Sequence, residues 1–167
     1  QLQKLRLKNG ETMPGLSDHL AEASKLKTKL ILELKEQSSA ERESEAVKRI
    51  VAMVHDMKLE DRMEYISFSK HAVKEFIRLA PQNTPVYYLK GDLTPAQLKE
   101  IGASGADYHL SVFQKNPQLI TECHQLGLKV NVWTVNNTED FQWCITNQVD
   151  FITTNEPITL QNVLKNK

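Results

Sequence analysis

The sequence has little of what marks most specialised protein classes. Only two cysteines, Cys123 and Cys144, occur in 167 residues. Two thiols cannot build a disulfide framework, and neither stands in a CxxC or Cys/His spacing that would hold zinc. They leave the compartment open, cytoplasmic or exported. No stretch approaches the roughly 18 consecutive apolar residues of a membrane helix. Charge of one sign is not in excess: 21 Lys and Arg balance 21 Asp and Glu, so the chain has no basic footprint for nucleic acid. Neither GxGxxG nor GxxxxGK[ST] occurs, which removes the Gly-rich phosphate turns of an open nucleotide-binding sheet. Linkers and low-complexity segments are absent. Residues 1–8 are polar, with no Met start and no signal-peptide core, so a processed or truncated beginning is expected.

What is present is ordinary globular composition, 40% hydrophobic and 25% charged, and an alternation of two periods. Short apolar, β-branched runs at 29–34, 64–69, 86–89, 106–112, 129–135 and 150–154 predict strands. Between them apolar residues recur with helical spacing. Examples are Leu16, Leu20, Ala23 and Leu26; Val47, Ile50, Val51, Val54 and Met57; Val73, Phe76, Ile77 and Ala80; and Leu119, Ile120, Cys123 and Leu126. Shorter stripes carry Leu98 and Ile101, then Phe141, Cys144 and Ile145, then Leu160, Val163 and Leu164. Thr94-Pro95-Ala96-Gln97 reads as a capping box with Pro at the first helical position. Asn116 and Thr138 are the expected caps of the next helices. Gly102 and Gly127 stand where helices end in a left-handed residue, and Gln148 occupies a place where Gly is usual.

Strand–helix–strand repetition of this kind predicts one α/β domain with a parallel sheet. The runs 29–34 and 150–154 are almost continuously apolar, as strands buried on both faces are. An open doubly wound sheet and a (β/α)8 TIM-type barrel both fit. The missing Gly-rich turn disfavours the former. In favour of the barrel, polar groups recur at nearly every strand's end: Glu33 and Lys35, Ser67 and Ser69, Lys90 and Asp92, His109, then Trp133, Thr134 and Asn136, then Asn155 and Glu156. A barrel builds its site from such βα ends.

Glu33 and Lys35 lie two residues apart, so their side chains leave one strand on the same side. They form either a structural ion pair or a metal ligand beside a phosphate-binding cation. Trp133 and Phe68 either wall a pocket or fill a core. His109 is a ligand, a base or a core histidine. His19, His55, His71 and His124 fall on helices and read as packing or surface residues. The charged run 35–49 reads as loop and solvated helix face.

Four segments, taken in order, resemble the glycerophosphodiester phosphodiesterases: Leu32-Glu33-Leu34-Lys35, Ile66-Ser67-Phe68, Val132-Trp133-Thr134-Val135-Asn136, and the run from Asp150 to Pro157. The lead-in Met13-Pro14-Gly15-Leu16 is also similar. The resemblance implies a (β/α)8 barrel that hydrolyses glycerophosphodiesters to an alcohol and glycerol 3-phosphate with a divalent cation, Mg²⁺ or Ca²⁺. By motif, Glu33 matches a metal-binding carboxylate and Lys35 the phosphate contact. Phe68 and Trp133 match aromatics of the substrate pocket. Ser67 matches less closely, and His109 takes no assigned role from the family. The family's His-Arg-Gly, Glu-x-Asp and second His-Asp motifs are missing, and with them the two catalytic histidines. Residues 1–167 therefore read as the carboxyl-terminal portion of one barrel domain that lacks its N-terminal strands. No catalytic residue is expected within the chain, and alone it is expected to be inactive. A full barrel takes about 250 residues, which agrees. A non-catalytic barrel that binds a phosphorylated ligand and an open-sheet interaction domain are the alternatives.

Overall fold

Each β-branched run becomes a strand, and each amphipathic stripe lies over it as a helix. The computed structural model describes Arg6 and residues 8–165; the polar beginning at 1–5 lies outside the described residues. Helix α1 (Leu16–Ser24) leads into β1 (Leu30–Leu34) and the long α2 (Ala40–Asp56). A 3-10 turn, Glu60–Arg62, precedes β2 (Met63–Ser67), and α3 (Lys70–Leu79) follows it. Then come β3 (Val86–Tyr88), α4 (Pro95–Glu100) and β4 (Gly105–His109). Two short helices, α5 (Leu110–Lys115) and α6 (Gln118–Gln125), lead to β5 (Lys129–Trp133), α7 (Thr138–Thr146), β6 (Phe151–Ile152) and α8 (Pro157–Lys165).

All neighbouring strands pair in parallel, in the order β1-β2-β3-β4-β5-β6. A doubly wound sheet would reverse its strand order at a switch point; this one never does. Ile31 at one edge and Phe151 at the other line the same concave cavity of about 410 Å³, so the sheet curls back toward itself. That geometry is an incomplete (β/α)8 barrel and sets the open-sheet alternative aside.

The core lies between the convex face of the sheet and the helices. Tyr65, Val86, Tyr108, Val130 and Val132 project outward and are all but fully buried against Val47, Val54, Phe76, Phe113 and Phe141. Tyr65 stacks on Phe76 with ring centres 4.3 Å apart. Burying one such ring contributes about 2–3 kcal/mol. At Gly105 the sheet admits no side chain: a Cβ there would lie 1.9 Å from the Lys129 carbonyl oxygen of β5.

Four expectations need correction. The edge strands are not buried on both faces, because Ile31 is 62% and Phe151 47% exposed on the open concave side. The run 106–112 is strand only to His109 and then turns into α5, whose start is capped by the His109 ring accepting from the Ser111 amide. The cap of α7 is Asn137, whose side chain accepts from the Asp140 amide, and α6 begins after Pro117 with no side-chain cap from Asn116. The run 35–49 is not wholly solvated: Glu43 is only 5% exposed. The Thr94 capping box forms as expected, and Gly102, Gly127 and Gln148 all take positive φ.

Candidate active site

Because side chains alternate along a strand, β1 points Ile31, Glu33 and the following Lys35 into the concave face. Lys35 Nζ donates to Glu33 Oε1 at 2.6 Å, with the side chains 74% and 29% exposed. A pair so exposed contributes at most about 1 kcal/mol to stability, so its placement matters more than its strength. The ammonium also lies 5.7 Å from the centre of the Phe68 ring. Phe68 meets Trp133 edge-on at 5.7 Å, and Trp133 meets His109 edge-on at 5.2 Å. Trp133 Nε1 donates to the Asp107 carbonyl at 2.8 Å, which fixes the indole. The result is an arc of one cation and three rings along the C-terminal ends of β1, β2, β5 and β4.

Under this arc lies a cavity of about 240 Å³, lined among others by Glu33, Lys35, Phe68, Asp107, Trp133 and Thr134. Thus Glu33, Lys35, Phe68 and Trp133, named from three separate segments, come together. Asp107 joins them and was not foreseen. It is 3% exposed and accepts from Asn131 Nδ2 at 2.6 Å, while the same amide donates to Thr153 Oγ1 at 2.9 Å. Burial pushes the Asp107 carboxyl up to about 6; the Asn131 bond opposes the shift and the Glu33 charge adds to it. The register pairs Asp107 with Asn131 across β4 and β5. The run Asp107-Tyr108-His109 held the signal, since Asp107 shares a face with His109.

Other strand-end groups serve structure. Ser67 donates to the Leu34 carbonyl at 2.7 Å, and Ser69 caps α3. Lys90 and Asp92 face each other at 3.8 Å on the surface. Asn136 Oδ1 accepts from the Asn155 amide and the Thr154 hydroxyl, joining the loops after β5 and β6. Glu156 closes the last of these loops, just before α8, with its amide donating to Thr154 Oγ1. No histidine lines the cavity. His55 pairs with Glu60, His71 with Ser44 and His124 with Asp150, all away from it. Among the described residues no group of three His, Cys, Asp or Glu side chains could hold a metal ion.

Comparison with known proteins gives this arrangement a context. A solved glycerophosphodiester phosphodiesterase from Parabacteroides distasonis is 45% identical, with a TM-score of 0.94 over 99% of this chain and 69% of that one. An Oleispira antarctica phosphodiesterase, solved in complex with the product sn-glycerol 3-phosphate, shares the fold. Its TM-score is 0.80 at 21% identity, over 93% of this chain and 63% of its own. A curated glycerophosphodiester phosphodiesterase from Caldanaerobacter subterraneus subsp. tengcongensis is 25% identical over 118 residues, which are 70% of this chain and 48% of that protein. The chain thus spans about half the length of that curated relative. The model of the glycerophosphoryl diester phosphodiesterase family matches residues 1–159. With the curled parallel sheet and the site at its C-terminal ends, that match makes the chain a member of the glycerophosphoryl diester phosphodiesterase family.

Proposed function

We propose that this chain supplies the carboxyl-terminal part of a metal-dependent phosphodiesterase that hydrolyses glycerophosphodiesters to an alcohol and glycerol 3-phosphate. The observation that carries the reading is the convergence of Glu33, Lys35, Phe68 and Trp133 on one cavity in a chain of this family. Lys35 is the phosphate contact. Its ammonium rests on Glu33 and swings to a phosphate oxygen when the diester binds, where a charge-assisted bond is stronger than a neutral one. Phe68 and Trp133 form the apolar walls that hold the glycerol carbons and keep water off the phosphorus.

Glu33 fits a divalent cation, Mg²⁺ or Ca²⁺, in kind but not in number. Hard cations take six or more oxygen ligands, which waters and phosphate oxygens share with protein carboxylates, and one carboxylate is a fraction of such a set. When bound, the ion would neutralise charge that develops on the phosphodiester oxygens. Hydrolysis also needs proton transfer to and from oxygen, and none of the cavity-lining groups is a histidine. The 167-residue chain alone is therefore proposed to bind the product without turning over the diester.

The test is calorimetric titration of the chain with sn-glycerol 3-phosphate, with and without Mg²⁺ or Ca²⁺, beside an assay of glycerophosphocholine hydrolysis. Binding without hydrolysis is expected. Lys35→Met should weaken binding at least tenfold, a change of about 1.4 kcal/mol, and Glu33→Gln should remove any effect of the cation. Equal binding by Lys35→Met overturns the site reading; turnover by the chain alone overturns the proposed inactivity.

A further inference from the structure

The buried face of α2 consists of Glu43, Val47, Ile50 and Val54. Three of these are the expected apolar residues. The first is a carboxylate, 5% exposed, at a place where a leucine would complete the stripe. An apolar residue here would complete the stripe, so α2 does not need Glu43 for its own packing.

The two oxygens of Glu43 reach two different βα loops. Oε1 accepts from the Gln37 amide at 3.1 Å, and Oε2 accepts from the Ser69 hydroxyl at 2.6 Å. Gln37 lies two residues after Lys35, and its side chain donates to the Lys35 carbonyl at 2.7 Å. Ser69 directly follows Phe68, and its hydroxyl also accepts from the Ala72 amide at 3.1 Å. On the near side of both residues, the Ser67 hydroxyl donates to the Leu34 carbonyl and accepts from the Ser69 amide. Lys35 and Phe68 are thus each bracketed by tied residues, and the two brackets are tied to each other. Between these brackets the Lys35 ammonium lies 5.7 Å from the centre of the Phe68 ring.

We propose that Glu43 is a positioning residue that braces the β1–α2 loop against the β2–α3 loop and so sets the distance between Lys35 and Phe68. The proposal rests on the reading of those two residues as ligand-facing. A bidentate carboxylate suits the task because both partners present donors to it, and no apolar residue can replace both acceptors. Glu43 touches no substrate; it acts through Gln37 and Ser69.

The experiment compares amide hydrogen exchange in the parent chain, Glu43→Leu, Glu43→Gln and Ser69→Ala, together with thermal unfolding and sn-glycerol 3-phosphate titration. In Glu43→Leu, amides of residues 35–38 and 67–70 are expected to exchange at least tenfold faster. The interior of α2 should keep its protection, and the unfolding midpoint should fall only modestly, because the Gln37 and Ser69 donors lose their acceptor. Glu43→Gln, which keeps one acceptor and one polar partner, should restore most of the protection. Ser69→Ala should loosen the same loops by cutting one arm, and it serves where Glu43→Leu does not fold. Ligand affinity should fall at least tenfold in Glu43→Leu and recover in Glu43→Gln. Unchanged loop exchange in both Glu43→Leu and Ser69→Ala overturns the brace, and so does faster exchange spread evenly over the whole chain. If the parent chain fails to bind sn-glycerol 3-phosphate, the ligand-facing reading of Lys35 and Phe68 falls, while the exchange data still decide the brace.

Discussion

Replacing Asp107 with Asn should make the protein's stability less dependent on pH, in a direction that the structure dictates. Asp107 is 3% exposed, and burial raises its carboxyl from 3.8 to about 6 in the folded state. Between those values the folded protein holds a proton that the unfolded chain has released. Stability then falls as pH rises, because the slope follows protons bound by the unfolded state minus those bound by the native state. The contribution of Asp107 is fully present below the unfolded value and is lost as pH climbs through the folded one. A shift of about 2 units, at 1.36 kcal/mol per unit, corresponds to about 3 kcal/mol. Asn at 107 keeps an oxygen for Asn131 Nδ2 and has nothing to titrate. Urea unfolding of parent and Asp107→Asn, in EDTA from about pH 4 to about pH 7, should show the difference in unfolding free energy moving by about 2 kcal/mol in favour of the variant, most of the full shift. Adding Glu33→Gln to both proteins should shrink that movement, since the Glu33 charge contributes to the shift. A difference that stays flat across this range refutes the assignment of Asp107 as a desolvated acid.

Other consequences are simpler to check. Gly105→Ala puts a Cβ 1.9 Å from the Lys129 carbonyl oxygen; neither backbone can withdraw without breaking the β4–β5 ladder. A loss of about 3 kcal/mol or more is expected in thermal unfolding. Asp150 accepts from Lys129 Nζ at 2.6 Å, the Val130 amide at 2.9 Å and His124. Burial opposes its charge, but these donors outweigh burial and hold the carboxyl below its usual value. Asp150→Ala should cost about 2–3 kcal/mol at neutral pH. That penalty should fade as acid titrates Asp150 below its ordinary range, because a depressed carboxylate loses its contribution as pH falls. Cys123 and Cys144 are buried, with thiols pushed up to about 11. Neither should react with a thiol reagent at neutral pH until denaturant is added, when both should.

The strands were legible because parallel strands need β-branched runs and little else. The site was legible where its chemistry is local: Glu33 and Lys35 share a strand face, and Trp133 sits at a strand's end. Asp107 was hidden because its character comes from Asn131, a residue 24 positions away that only the β4–β5 register brings beside it. Glu43 was readable in principle. It occupies a stripe position with Val47, Ile50 and Val54, yet a carboxylate in a charged run looks solvated until the Ser69 hydroxyl is placed 2.6 Å from it. The strand ends at His109 although Leu110 and Val112 continue the alternation of 106–112. A histidine ring as helix cap lies outside the usual Ser, Thr, Asp and Asn signal. The exposure of Ile31 and Phe151 came from the open face of the sheet, which no local pattern encodes.

The uninterrupted strand order also bears on how the chain acquires its shape. Within the described sheet each strand pairs only with the strands immediately before and after it in sequence, so none of β1 to β6 must wait for a distant one of them to emerge. During synthesis, β2 can dock on β1 with α2 already in place, then β3 on β2, each arrival giving the next its template. Cooperative units should follow the β/α boundaries, with protection highest around β2 to β5 and lowest toward the two-residue β6. Glu43 and Ser69 belong to the first two of these units, so the brace between Lys35 and Phe68 would form early, before Trp133 arrives to complete the aromatic arc.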